Sequence, residues 1–344
     1  MLKWYEQNVP DSDVVISSRV RLARNLENYL FSAKLEEENA IELVNEVKGL
    51  TTSLALAQSR KFYACNISTL TDIDKSAMVE RHIVSPLLAE KKQTTGIILS
   101  EDETVSIMIN EEDHLRIQAI VGGMNLEQAY EEANQIDDIT NEKLQFAYDE
   151  KYGYLTSCPT NVGTGMRASC MVFLPALSAA GMLQKLLEEV GKYGVTIRGI
   201  YGEGTKSLGN IFQISNQKTM GNSEREIIEN LKRIVQQVVK QERKRREYML
   251  SVNSDELQDR VYRSYGILKY ARQISSDDSM TLLSQLKFGF DTGLIKFDRP
   301  FNIHRLMMGV QPGSLQWSLG KIVGSATRDQ SRAEYIRKEL PTII

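Results

Sequence analysis

The chain has 344 residues, 42% of them hydrophobic, and a net charge of -3. That length allows one large domain and a smaller one, each with its own core, and the near-neutral charge excludes a general attraction to nucleic acid or anionic lipid, leaving polyanion binding to local clusters of arginine. No apolar signal segment or membrane span is visible, and Cys65, Cys158 and Cys170 lack metal-ligand spacing, so free thiols in a cytoplasmic protein without direct nucleic-acid or membrane partners are expected.

In chain order, the alternation of Val14-Val-Ile-Ser-Ser-Arg-Val-Arg-Leu22 predicts a strand with Ile16, Val20 and Leu22 on one side and Arg19 and Arg21 on the other. Apolar spacing predicts helices over 35–57 and over 72–90, the latter containing His82. A strand over 104–110 leads into the acidic triplet Glu111-Glu112-Asp113, after which Leu115, Ile117, Ala119 and Val121 alternate against His114, Arg116 and Gln118. A helix over 126–146 precedes the glycine-containing segment Cys158-Pro-Thr-Asn-Val-Gly-Thr-Gly-Met-Arg167, and Val195-Thr-Ile-Arg198 is a further strand. The predicted helix over 223–248 carries a stripe of Ile227, Ile228, Leu231, Ile234, Val235 and Val238, and its basic end, Arg243-Lys-Arg-Arg246, reads as solvated charge at a helix C-terminus. Beyond it strand signal fades, which places a domain boundary near 250: a strand-containing domain over 1–250 and a helical one over 251–344.

Adjacent carboxylates repel and raise one another's pKa. Five guanidiniums, those of Arg19, Arg21, Arg116, Arg167 and Arg198, stay charged at ordinary pH and are unfavourable together in an empty cleft. A polyanion resolves the arginine cluster, because arginine forks match phosphate oxygens and glycines let backbone approach them. The usual nucleotide signatures are missing: Gly202-Glu-Gly-Thr-Lys-Ser207 lacks glycine before its lysine, and the His-Arg-Asp and Asp-Phe-Gly pair is absent. Phosphate is therefore expected to be held chiefly by arginine.

Four elements in this order, Ser-Arg-Val-Arg, Asn-Glu-Glu-Asp-His-Leu-Arg, Cys-Pro-Thr-Asn-x-Gly-Thr-Gly-x-Arg and Arg-Gly-x-x-Gly-Glu, resemble the ATP:guanidino phosphotransferases, the family of creatine and arginine kinases. The resemblance implies an α+β fold, an antiparallel sheet flanked by helices, and ATP with Mg²⁺ held mainly by nucleotide and water. It implies nucleotide contacts from Ser18, Arg19, Val20, Arg21 and Leu22, from His82 and Arg116, from Arg167, Ala168, Ser169, Cys170 and Met171, and from Arg198, Gly199, Ile200, Tyr201, Gly202 and Glu203. Glu112 matches the catalytic glutamate and Glu203 a second one that fixes another guanidinium nitrogen. Cys158 matches a reactive cysteine beside the guanidino group. Glu111 and Asp113 are expected to tune the site or order magnesium-bound water. A guanidinium is not a nucleophile until it loses a proton, which is why the reaction needs a carboxylate base.

Small-substrate members of the family carry a helical domain ahead of the arginine strand, whereas here that strand begins by residue 14. An open cleft that admits an arginine side chain of a protein is therefore expected. The front end, Tyr201-Gly-Glu-Gly and Arg328-Asp-Gln-Ser-Arg-Ala333 are similar to a bacterial branch of the family that phosphorylates protein arginine. That likeness implies a phosphoarginine-recognising allosteric site at Arg328, Asp329, Arg332 and Ala333, a homodimer or higher oligomer, a zinc-binding activator protein, and substrates, among them a stress-gene repressor, marked for a Clp protease unfoldase. A kinase of free arginine and a non-catalytic phosphoarginine-binding adaptor remain as alternatives.

Overall fold

A computed structural model describes residues 3–7, 9, 12–200 and 207–344. Its centre is an eight-stranded antiparallel sheet in the order β2-β3-β4-β5-β1-β8-β10-β9. The strands are β1 (Val15–Arg24), β2 (Phe62–Asn66), β3 (Gly96–Ser100), β4 (Val105–Ile109), β5 (Leu115–Gly122), β8 (Met166–Phe173), β9 (Val195–Gly199) and β10 (Ile211–Asn216), with β6 (Tyr148–Asp149) and β7 (Gly153–Tyr154) forming a separate small hairpin. The helices are α1 (Glu37–Lys48), α2 (Thr51–Gln58), α3 (Asp72–Glu80), α4 (Pro86–Glu90), α5 (Leu126–Asn141), α6 (Pro175–Ala179), α7 (Leu183–Gly191), α8 (Glu224–Tyr270), α9 (Ser276–Asp291), α10 (Ile303–Gly309), α11 (Pro312–Leu319) and α12 (Ser325–Glu339).

Alternation gives the sheet two unlike faces. On one, Val20, Leu22, Ile107, Ile117, Ala168 and Ile214 meet the apolar sides of α1, α5 and the first half of α8 in the largest core. The opposite face is covered, by the described residues, chiefly at its ends. Towards β3 and β4, Ile97 and Met108 pack beneath Met78, Ile83 and Leu88 from the α3–α4 region. Towards β8 and β10, Ile16, Met171, Phe173 and Ile211 pack against residues of α8 to α12. The open strip between them is the cleft, bounded by α3, which α11 abuts.

Several expectations are corrected. Ile16 does not share a side with Val20 and Leu22, because a register shift between Val15 and Ser17 turns it onto the opposite face. The expected helix over 35–57 breaks at Gly49–Leu50, and that over 72–90 breaks between Glu80 and Pro86, where Pro86 starts a new helix and His82 takes a left-handed conformation with φ 60°. The last predicted helix continues through 250 to Tyr270, with Asn253 as its one non-helical residue. Its basic run is therefore neither terminal nor free in solvent. Arg243 holds Asp13 at 2.6 Å, and buried Arg246 pairs with Glu242, which in turn accepts from the backbone N–H groups of Ala176 and Leu177 at the start of α6. No helix among the described residues is long and apolar enough to cross a membrane.

Candidate active site

The strand registers put the arginines on one face. Arg21 lies opposite Gln118 on β5 and Arg167 on β8, Ala23 opposite Arg116, and Arg19 opposite Ile120 and Ser169. Arg198 reaches the same face through Gln213, which pairs with Met171. The segments named from sequence are thus divided. Arg19, Arg21, Arg167, Ser169 and Met171 point to the cleft side, while Ser18, Val20, Leu22, Ala168 and Cys170 point into or against the main core and are not cleft side chains. Gly199 falls on the core side, and Ile200 lines the cleft. Tyr201, Gly202 and Glu203 lie outside the described residues.

A cleft of about 380 Å³ runs along this face between Arg19, Arg21, His82, Met108, Gln118 and Ile200. Its cations are weakly countered. Arg19 uses neutral partners, Gln213 Oε1 at 2.7 Å and Ser169 Oγ at 3.4 Å, and Arg167 uses Ser215 Oγ at 3.3 Å. The Nε atoms of Arg21 and Arg167 are buried with no acceptor among the described residues. Burial, then the charges of Arg116 and Arg167, pushes Arg19 down to about 10, and burial followed by Arg19 and Arg116 depresses Arg21 as well. Burial and then Arg19 push His82 down to about 3, so His82 is a neutral ring beside the arginines. A site in which burial and like charge both work against its cations is built for a bound anion.

At one end of the arginines sits the acidic turn. Asn110, with φ 58°, begins it, and Lys91 Nζ fastens it from behind by donating to the carbonyl oxygens of Asn110 at 2.8 Å and Glu111 at 2.9 Å. The three carboxylates are treated differently. Glu111 is buried and takes Arg116 at 2.6 Å together with Ser85. Asp113, 2% exposed, accepts from Asn25 Nδ2 at 2.7 Å and Ser157 N at 2.6 Å. Glu112 keeps 36% of its side chain exposed, and its side chain has, among the described residues, a long 3.4 Å contact to Arg116 as its one polar partner. Burial raises its pKa above the ordinary value, Arg116 pulls the other way, and Asp113 and Glu111 raise it further. Glu112 is thus the carboxylate of the three free to receive a proton from a ligand, whereas Glu111 and Asp113 are structural partners of cations and backbone donors.

Cys158 is part-exposed, with Sγ 3.0 Å from Thr160 Oγ1, in a loop fixed downstream by Thr219, whose hydroxyl donates to the carbonyls of Thr160 and Val162. Gly163 in that loop has φ 108°, and a Cβ there would lie 2.5 Å from the Thr219 carbonyl oxygen, so no other residue fits. Lys91, Asn25, Gln213 and Ser215 escaped the sequence reading. Asn25 follows the arginine strand directly and was within reach of it, but Lys91 ends a short helix and carries no pattern.

The C-terminal residues lie elsewhere, on α12. Arg332 is fully buried and donates to the carbonyls of Val310 and Ile274 and to Asp329, so part of its guanidinium fork is already engaged within the chain. Arg332 Nη2 and Arg328 Nε remain buried without an acceptor among the described residues. Asp329 is 31% exposed, and Ala333 belongs to the second core.

Comparison with known proteins agrees with this geometry. The sequence model described as ATP:guanido phosphotransferase, C-terminal catalytic domain, matches residues 42–245, and that of the Protein-arginine kinase McsB C-terminal domain matches 254–343. The chain is 42% identical over 99% of its length to a "Protein-arginine kinase" of Brevibacillus brevis, covering 95% of that protein, and 45% identical over 98% to one from Halalkalibacterium halodurans, covering 94%. Among solved structures it is similar to a lombricine kinase, at TM-score 0.58 and 24% identity over 68% of this chain and 67% of that one, and to the duplicated taurocyamine kinase of Schistosoma mansoni, at 0.62 and 24% over 76% of this chain and 39% of that one. At that identity the solved structures establish the fold, an antiparallel sheet flanked by helices with a helical C-terminal region.

Proposed function

For a chain that belongs to the ATP:guanido phosphotransferase family and is a protein-arginine kinase within it, we propose the following division of labour in the site. The phosphates of ATP lie across Arg19, Arg21, Arg116, Arg167 and Arg198, with His82 beside the base. Glu112 orients the guanidinium of a protein arginine and takes its proton as the nitrogen attacks the γ-phosphorus and the bond to the ADP oxygen breaks. The arginines neutralise the phosphoryl group in transit. Glu111 Oε1 is committed to Arg116 and Ser85, and Asp113 Oδ1 to Asn25 and Ser157, with Asp113 Oδ2 buried, which suits a Mg²⁺ ion carried by nucleotide and water and adding charge neutralisation there. Cys158 flanks the guanidino group, and Glu203 would hold a second guanidinium nitrogen.

The observation that carries this reading is the convergence of five arginines on one sheet face with one part-exposed, pKa-raised carboxylate at their end. Incubation with ATP and a mixed protein substrate should yield acid-labile, base-stable phosphate on arginine. Phosphorylation of free arginine in preference to protein would favour the small-molecule alternative.

The wider reading rests on the same resemblance. Arg328, Asp329, Arg332 and Ala333 form an allosteric phosphoarginine site, supported by the orphaned Arg328 Nε and Arg332 Nη2. Exposed Tyr262, Ile267 and Tyr270 on α8 offer apolar surface to a second copy, as a homodimer or higher oligomer requires. The enzyme works in the cytoplasm, is controlled by a zinc-binding activator, and marks proteins such as a stress-gene repressor for a Clp protease unfoldase. The boundary between catalytic and C-terminal domains is placed near residue 250, within α8.

A further inference from the structure

Asp113 neighbours the proposed base and is itself buried. It is 2% exposed, and its Oδ1 accepts two hydrogen bonds, from Asn25 Nδ2 at 2.7 Å and from the backbone N–H of Ser157 at 2.6 Å. Ser157 immediately precedes Cys158. Asn25, 1% exposed, closes the arrangement: its Nδ2 also donates to the Leu155 carbonyl at 3.0 Å, and its Oδ1 accepts from His114 N at 2.9 Å. The acidic turn's last carboxylate, the residue after it and the residues just before the cysteine are therefore tied through one carboxylate oxygen and one amide.

We infer that Asp113 is a positioning residue that sets the Cys158 loop in register with Glu112. The inference rests on the reading of Glu112 and Cys158 as reacting groups. A loop residue gains its position from the backbone bonds around it, and two of those bonds flank the cysteine most closely from outside the loop. Thr219 holds the segment after the cysteine, and Asp113 holds the residue before it. The acidic turn moves little on its own, since Lys91 fixes its carbonyls and Arg116 its first carboxylate. Removing the Asp113 bond loosens the residue immediately before the thiol, leaving the nearest upstream ties at Leu155 and Thr156, and misplacement of about 1 Å at a reacting centre lowers turnover on the order of 10²-fold. ATP binding is expected to change little, because the arginines that hold it do not touch Asp113.

The test compares Asp113→Ala, Asp113→Asn, Cys158→Ser and the Asp113→Ala/Cys158→Ser double variant in the full chain. The rate of Cys158 alkylation by iodoacetamide is followed by peptide mass spectrometry, with Cys65 in the same molecule as internal control. Asp113→Ala should change the Cys158 rate several-fold with Cys65 unchanged, and lower kcat far more than it raises KM for ATP. Asp113→Asn keeps an acceptor for both donors and should restore kcat and the alkylation rate close to wild type. The double variant should lose little beyond Cys158→Ser alone, since the two changes act on one element. Should the alanine variant unfold, Asp113→Ser, whose hydroxyl falls short of Ser157, supplies the same comparison. The idea is overturned by an unchanged Cys158 rate, by Asp113→Asn as impaired as alanine, or by kcat losses that multiply in the double variant. A fully active Cys158→Ser would instead remove the cysteine from the chemistry, while the alkylation rates would still decide the role of Asp113.

Discussion

Arg21 and Arg167 stand directly opposite each other across the β1–β8 ladder, each with a buried Nε that finds no acceptor among the described residues. Like charges facing across strands destabilise a sheet by up to about 1 kcal/mol, and burial adds to the cost, so the arrangement trades stability for anion binding. Arg21→Met is expected to raise the stability of the nucleotide-free protein by about 1 kcal/mol while weakening ATP binding by about 1.5–3 kcal/mol, the contribution of a hydrogen bond to a charged group. Denaturant titration without nucleotide and calorimetry with it measure the two effects. A nucleotide-free protein less stable than wild type would show that the repulsion is relieved elsewhere.

Glu112→Gln should keep the fold and nucleotide affinity and lose a factor of roughly 10²–10⁴ in turnover. A general base acts in its ionised form, so kcat/KM of the wild type must fall as pH drops through the pKa of Glu112. Burial, then the charges of Asp113 and Glu111 acting against Arg116, raises that pKa above the ordinary 4.5, placing the acid limb above that of an unperturbed glutamate. The limb should vanish in the glutamine variant. Persistence of the same limb in its residual activity would assign the base to another group.

On α12 the two arginines should separate. Arg332→Ala strips donors from Val310, Ile274 and Asp329, and a buried charge network broken this way costs about 3–5 kcal/mol, visible as a large fall in melting temperature. Arg328→Ala should leave stability within about 1 kcal/mol and lower phosphoarginine affinity and any stimulation by it, with ATP affinity nearly unchanged. Equal phosphoarginine binding by wild type and Arg328→Ala, measured calorimetrically, would return α12 to a structural role.

His304 lies buried against Trp4, with ring centroids 6.0 Å apart, and burial pushes its pKa down to about 3. The folded state keeps it neutral where the unfolded chain, with a value near 6.5, binds a proton. Its contribution is therefore complete above the unfolded value and lost as pH falls from 6.5 towards 3. Per proton this adds a slope of about 1.4 kcal/mol per pH unit across that window. His304→Leu should flatten stability against pH by that amount, as read from denaturation midpoints between pH 4 and pH 6. An unaltered slope would show that the imidazole titrates in the folded protein.

The order of motifs was enough to identify the family, and two-residue alternation was enough to place Arg19 and Arg21 side by side, because the pleat of a strand is a local property. The same local rule misplaced Ile16, since the bulge that flips it arises from pairing with β8, a strand more than a hundred residues away. The acidic triplet was legible as a cluster, but three adjacent carboxylates look alike in sequence. Their division into an ion-pair partner, a part-exposed carboxylate and a backbone anchor was decided by Arg116, Ser85, Asn25 and Ser157, brought together by tertiary packing. Likewise the basic run of α8 read as solvated charge, and the burial of Arg332 left no mark in its motif, because burial depends on what another part of the chain lays against a helix. The sequence by itself determined which chemical groups the protein possesses and which strand face carries them. Only the tertiary structure decided which of those groups are committed to one another and which remain free for a ligand, because hydrogen-bond and ion-pair partners distant in sequence compete for the same atoms.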